Sequence, residues 1–146
     1  WGLNIVGQLG LNNLAYYSSP VQVGSLSNWK YVSTGSSSVA AIKTDGTLWT
    51  WGYNIHGSLG LGNTTYYSSP VQVGALTNWK YVDVDNSVMA AIKTDGTLWT
   101  WGKNDFGQLG NGTTTYFSSP IQIGSLTGWK QVSVRTGFAA ISDVVF

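Results

Sequence analysis

With 146 residues, a formal net charge of +1 and only 9% charged side chains, none of them Glu, the chain has no basic run or acidic block for recruiting nucleic acid by charge. Cysteine is absent, which excludes disulfides and thiolate zinc sites, and no apolar run reaches membrane-spanning length, which argues against membrane insertion. Eight Trp and eight Tyr supply apolar area for a core and favour strands.

The chain opens with Trp-Gly-x-Asn-x-x-Gly-x-Leu-Gly, a pattern that returns at Trp51 and Trp101. Gly and Asn at these fixed offsets (Gly2, Asn4, Gly7, Gly10) suggest backbone positions that need a positive φ. A polar loop follows and ends in Tyr16-Tyr17-Ser18-Ser19-Pro20; one tyrosine of each such pair is expected to pack and the other to face solvent. Val21-Gln22-Val23 alternates, and the proline at its start suits the outermost strand of a small sheet. Trp29-Lys30-Tyr31-Val32-Ser33 and Val39-Ala40-Ala41-Ile42-Lys43 read as two more strands, with a turn between them near Gly35 to Ser38. The dipeptide Asp45-Gly46 is a hairpin signal leading into the alternating strand Thr47-Leu48-Trp49-Thr50-Trp51. That gives four strands per 50 residues, an antiparallel meander without helix.

Phased on Trp1, Trp51 and Trp101, residues 1–146 read as one repeat array with units 1–50, 51–100 and 101–146. The first two units agree at about 36 of 50 positions. In this phase residues 51–100 are expected to form one four-stranded sheet with a tight turn at Asp95-Gly96. The third unit departs after Arg135-Thr136-Gly137-Phe138, where Ser142-Asp143-Val144-Val145-Phe146 replaces the Asp-Gly-Thr-Leu-Trp strand. Because the chain opens on Trp rather than Met, it reads as a piece of something longer, and an upstream signal peptide stays open.

The phrase Trp-Lys-x-Val, followed by Ala-Ala-Ile-Lys-Thr-Asp-Gly-Thr-Leu-Trp-Thr-Trp-Gly-x-Asn-x-x-Gly-Gln-Leu-Gly, resembles the RCC1 (regulator of chromosome condensation) repeat over essentially the whole chain. The resemblance implies an all-β fold, a β-propeller of four-stranded antiparallel blades, with about three blades here and commonly seven in the family. Many family repeats carry Gly-x-x-His ahead of the Ala-rich strand. Here those positions read Gly35-Ser36-Ser37-Ser38, Asp85-Asn86-Ser87-Val88 and Arg135-Thr136-Gly137-Phe138, so the chain looks more like the degenerate bacterial or phage versions. Three repeats are too few to close a ring. Further blades are therefore expected from the same polypeptide or from another copy.

Catalysis finds little support. His56 is the single histidine, and Val6 and Phe106 take its place in the other units. No nucleophile–base pair or histidine metal site follows from it alone. Asp83-x-Asp85-Asn86 lacks the glycine and distal glutamate of a calcium loop. The expectation is a non-enzyme with no cofactor and no metal.

Binding is better supported, because the units differ at the turns. Leu3, Val6 and Gln8 become Tyr53, His56 and Ser58, then Lys103, Phe106 and Gln108, while Ser33 to Val39 becomes Asp83 to Met89. In an up-and-down meander the turns after the first and third strands share one rim. That rim is varied, and the Asp-Gly rim is nearly uniform. Tyr53, His56, Phe106 and Phe138 are its candidate aromatic contacts; Asp83, Asp85, Asn86, Lys103, Arg135 and Thr136 are its candidate polar ones. The partner is expected to be a protein or a glycan. The low charge and hydroxyl-rich surface suit an extracellular or virion-surface structural module from a bacterial or phage source. The rival readings are an enzyme inhibitor, a GTPase regulator and a carbohydrate-binding module. A lectin should show one aromatic in the same exposed position of every blade.

Overall fold

The computed structural model describes residues 1–25, 27–85 and 87–135, together with the backbone of residues 138–142. Among the described residues ten strands follow in chain order: β1 (Trp29–Thr34), β2 (Ser38–Lys43), β3 (Leu48–Gly52), β4 (Tyr67–Gln72), β5 (Trp79–Asp85), β6 (Val88–Lys93), β7 (Leu98–Gly102), β8 (Phe117–Gln122), β9 (Trp129–Val134) and β10 (Phe138–Ser142). They form two four-stranded antiparallel sheets in meander order, β1-β2-β3-β4 and β5-β6-β7-β8, and a two-stranded sheet of β9 and β10. No helix occurs among the described residues, and none is long and apolar enough to cross a membrane.

The sheets therefore run over residues 29–72 and 79–122, and residues 51–100 do not form one sheet. The repeat phased on Trp51 cuts each sheet near the end of its third strand. Residues 53–66, which lack strand alternation, are the loop from β3 to β4. The same correction moves Tyr67-Ser68-Ser69-Pro70 from loop into strand. β4 is the edge strand of its sheet, so the missing N–H of Pro70 breaks no central ladder. Residues 1–25 repeat this geometry in part. Gly2 bridges Tyr17 where Gly52 pairs with Tyr67 and Gly102 with Phe117.

The Asp-Gly turn forms as expected, with a difference in type. Gly96 N–H donates to Lys93 O (2.9 Å) and Lys93 N–H to Thr97 O (3.1 Å), and Gly96 has φ +78° while Asp95 stays negative. This is a three-residue hairpin with glycine in the left-handed position rather than a two-residue type I′ turn. Asp95 Oδ1 accepts from the Thr97 N–H (3.0 Å) and hydroxyl (2.7 Å), which lowers its pKa.

The sheets stack face to face. Ala40, Ile42 and Leu48 of the first meet Trp79, Val82, Val84, Met89, Ala91 and Trp101 of the second. The far face of the second, Val88, Ala90, Ile92 and Leu98, packs with Val132 and Val134. The Ala pairs let the backbones approach, and burial of large side chains such as Trp101 and Ile92 contributes on the order of 2 kcal/mol each.

Candidate interaction surface

The rim is assembled by contacts between the turn after the first strand of a sheet and the loop after its third. Tyr53 N–H donates to Ser37 O, and Lys103 N–H to Ser87 O, both at 2.9 Å. Gly52 and Gly102, at φ +101° and +106°, permit this, because a β-carbon on either would overlap the carbonyl oxygen of Ser37 or Ser87. At the opposite end, Thr94 N–H bonds Asn78 O (2.8 Å) and Trp129 N–H bonds Gly96 O (3.1 Å). The two kinds of turn thus lie on separate rims, as the meander requires.

Each long loop is built around a buried asparagine. Asn54 Nδ2 donates to Asn63 O (3.0 Å) and Thr65 O (2.9 Å), while its Oδ1 accepts from Leu59 N–H (2.8 Å). Asn4 and Asn104 repeat the pattern with Leu9 and Leu109. All three are fully buried and none has a positive φ, so asparagine is required here for its side-chain amide and not for its backbone. The glycines of the motif do take positive φ. The next sheet clamps the loop from outside. Trp101 Nε1 donates to Ser58 O (2.8 Å), and Gly60 leaves room for that indole.

On this frame several expected residues meet. Tyr53 lies 6.3 Å from His56 and 5.0 Å from Tyr66, and His56 lies edge-on to Tyr116 at 5.4 Å. Lys103 pairs with Asp105 at 2.9 Å, and the Tyr116 hydroxyl donates to the other Asp105 oxygen. One contiguous patch therefore crosses two repeats: Tyr66, Tyr53, His56, Tyr116, Asp105 and Lys103. Phe106 stands apart at 90% exposure.

Tyr66, Tyr116 and Asp105 were not among the sequence candidates. Their signal is the recurrence of an exposed tyrosine, Tyr16, Tyr66 and Tyr116, ahead of the packed Tyr17, Tyr67 and Phe117. The expectation that each pair splits between packing and exposure holds.

Asp83 is not a turn residue. It lies in β5, where Oδ1 accepts from the Ser33 hydroxyl (2.8 Å) and Oδ2 from Val134 N–H (2.8 Å). Ser33 Oγ in turn accepts from Val84 N–H at 3.1 Å. The carboxylate stitches three sheets through their first strands, so both its oxygens are spent internally. Asp85 ends β5 opposite Val88, half-buried, and Arg135 is exposed after β9. Asn86, Thr136 and the side chain of Phe138 lie outside the described residues.

Burial, and next the positive charge of Lys103, lower the pKa of His56 against the weaker pull of Asp105. An NMR titration of the His56 ring is expected to give a midpoint below the ordinary 6.5, rising in Lys103→Ala. A midpoint that Lys103→Ala leaves in place would separate the histidine from this patch. The sign follows from the folded pKa being depressed. The neutral ring favours the fold above the unfolded pKa, and that contribution is lost as pH falls through the folded value.

The RCC1 family model (regulator of chromosome condensation repeat) matches residues 1–42, 45–87 and 95–138, and a second RCC1 repeat model matches 29–58. The chain belongs to the RCC1 repeat family. Human WBSCR16 is similar at 23% identity and TM-score 0.81, over 96% of this chain and 38% of that one. Prp20p of Saccharomyces cerevisiae, in a structure reported with its binding to Gsp1p and histones, is similar at 18% identity and TM-score 0.83, over 98% and 40%. The yeast RCC1 (Prp20) in a structure with Kap60 bound matches at the same identity and TM-score, over 98% and 38%. No curated protein matches the chain at a significant level. The four-stranded sheets are thus the blades of an RCC1-type propeller, and the chain spans about two fifths of these structures.

Proposed function

We propose that this RCC1-type segment is a non-enzymatic protein-interaction module that binds through the rim of β1–β2 turns and β3–β4 loops. The observation that carries the reading is the patch from Tyr66 to Lys103. Tyr53, His56, Lys103 and Asp105, which vary between repeats, converge there with the recurrent Tyr66 and Tyr116 from two neighbouring loops, while the Asp-Gly turn is identical in the two units that carry it. Rigid aromatics with a charged fringe are the composition of interface centres. The binding of Gsp1p, histones and Kap60 described for Prp20 supports a protein as partner. The remaining blades of the ring come, in this reading, from the same polypeptide or a second copy, and a structural role on a virion or cell surface suits the low charge.

The test uses Tyr53→Ala, His56→Ala and Tyr116→Ala together, against Lys80→Glu, an exposed change at the start of β5. Interface centres lose about 2 kcal/mol or more on truncation, while such exposed positions change stability by about 0.5 kcal/mol or less. Cross-linking in source lysate should recover the same partner with the wild type and Lys80→Glu, and lose it with the triple variant. Unchanged recovery by a folded triple variant returns the patch to unconstrained drift.

A second reading has its own support. Tyr16, Tyr66 and Tyr116 put one exposed aromatic at the same place in each repeat, as a glycan-stacking surface requires. Retention of neutral oligosaccharides, lost in Tyr66→Ala with Tyr116→Ala, would favour it over a protein partner.

A further inference from the structure

Loops 53–66 and 103–116 belong to the two complete four-stranded blades, and His56 stands where they meet. It is the third residue of a turn closed by Gly57 N–H to Asn54 O at 3.0 Å, and Gly57 itself lies against Ser118 of the next blade. The turn carries the half-buried ring to 6.3 Å from Tyr53 and 5.4 Å from Tyr116. Val6 and Phe106 stand at the same place in the other units, so the position accepts an apolar side chain and only the middle unit puts a titratable one there.

Two charged groups act on the ring, Lys103 and Asp105, both from the following loop. Its own loop contributes Tyr53 and Tyr66, and the following loop adds Tyr116. Asp105 divides its oxygens. One accepts from Lys103 Nζ at 2.9 Å and the other from the Tyr116 hydroxyl. With a neutral imidazole the cluster is balanced, one cation against one anion.

A proton on His56 sets two cations beside a single carboxylate, and the two differ in freedom. The Lys103 side chain is 34% exposed and can carry its ammonium into water, because an exposed ion pair contributes little. The imidazolium is half-buried on a fixed turn, cannot withdraw, and needs an acceptor in place of water. Burial and the Lys103 charge oppose the proton while Asp105 favours it, so the cost falls most when the carboxylate turns to the ring and the lysine moves off.

We infer that this cluster is a proton-driven exchange of partners. As pH falls through the titration of His56, Asp105 leaves Lys103, accepts an N–H of the imidazolium and releases the lysine to solvent. One proton is taken up from solvent and no covalent bond between heavy atoms changes. For the interaction surface proposed above, the consequence is a face that is charge-balanced at neutral pH and net positive in mild acid. The exchange is a property of the two loops and does not depend on what the patch binds.

NMR on the intact chain, with no partner present, tests the exchange between about pH 7.5 and about pH 5. Through-space contacts from the Asp105 Hβ atoms report its partner directly. The contact with the Lys103 Hε atoms should be lost and one with the His56 ring protons gained, both at the midpoint of the His56 titration. The Tyr116 hydroxyl and Lys103 hold the Asp105 carboxyl below the ordinary carboxylate range, so a step in this window belongs to the histidine. His56→Phe keeps an aromatic ring, as the third unit does at this place, and removes the titrating group. Its Asp105–Lys103 contact should persist over the whole range. If His56→Phe fails to fold, the wild-type pH series decides alone. A Lys103 contact retained below the His56 midpoint, or the same loss in folded His56→Phe, overturns the inference. Neither outcome touches the interaction reading, which the triple variant tests separately.

Discussion

Gly96→Val is expected to cost about 4 kcal/mol or more, enough to abolish a cooperative native state in a domain of ordinary stability. Two effects combine. Gly96 holds φ +78°, a region that a β-branched residue enters only with strain. A β-carbon there would also overlap the Thr127 carbonyl oxygen, on the connection that leads into the next blade. That connection has no room to retreat, because Trp129 N–H bonds Gly96 O. Gly46→Val should behave alike against Thr77. Gly112→Ala separates the causes: Gly112 has φ +75° but open space around it, so strain alone remains, at about 1 kcal/mol. Urea unfolding of the three variants measures the difference. A Gly96→Val midpoint close to that of Gly112→Ala would show that the connection yields and that the rim is soft.

Asn54→Ala is expected to cost about 3 to 5 kcal/mol, the second large effect. Leu59 N–H, buried, loses its acceptor, and the carbonyls of Asn63 and Thr65 lose their donor. A small cavity is added to these losses. Asn54→Asp retains the acceptor but sets a carboxylate against two carbonyl oxygens, so it should rescue little at pH 7. Hydrogen exchange localises the damage, with faster exchange across residues 53–66 ahead of the strands. If Asn54→Ala melts within a few degrees of the wild type, the loop is held by Trp101 and the glycines rather than by the amide.

Much of this architecture was legible in the chain. Alternation around Asp45-Gly46 and Asp95-Gly96 marks β2, β3, β6 and β7, and meander order alone places the variable turns on one rim. The phase of the blade was not legible. Trp51 is the most conspicuous repeated residue, yet it lies one residue from the end of β3, and nothing in the polar stretch 53–66 announces that β4 still belongs to the same sheet. The role of Asn54 was hidden because Asn beside Gly reads as turn chemistry, and only the fold shows three backbone groups converging on its amide. Asp83 misled for a related reason. It differs from Ser33 and Ser133 as a binding residue might, but its partners lie about 50 residues away on either side. The meeting of His56 with Tyr116 depends in the same way on stacking of consecutive repeats, which no local pattern records.

The interlock between successive loops reaches beyond geometry. Asn12 N–H donates to Ser68 O and Gly62 N–H to Ser118 O, both at 2.7 Å, and Gly7 and Gly57 lie where a β-carbon would strike Ser68 and Ser118. Each loop thus finishes the fourth strand of the following blade, and a blade released from its neighbour loses hydrogen bonds as well as a packed face. In nearest-neighbour language, stability is the sum of each repeat's own free energy and the coupling between repeats, and this interlock adds to the coupling. An array of this kind loses order from its ends or all at once. A partner that grips two adjacent loops therefore holds the coupling that keeps the blades together, and its binding and the cohesion of the array reinforce each other.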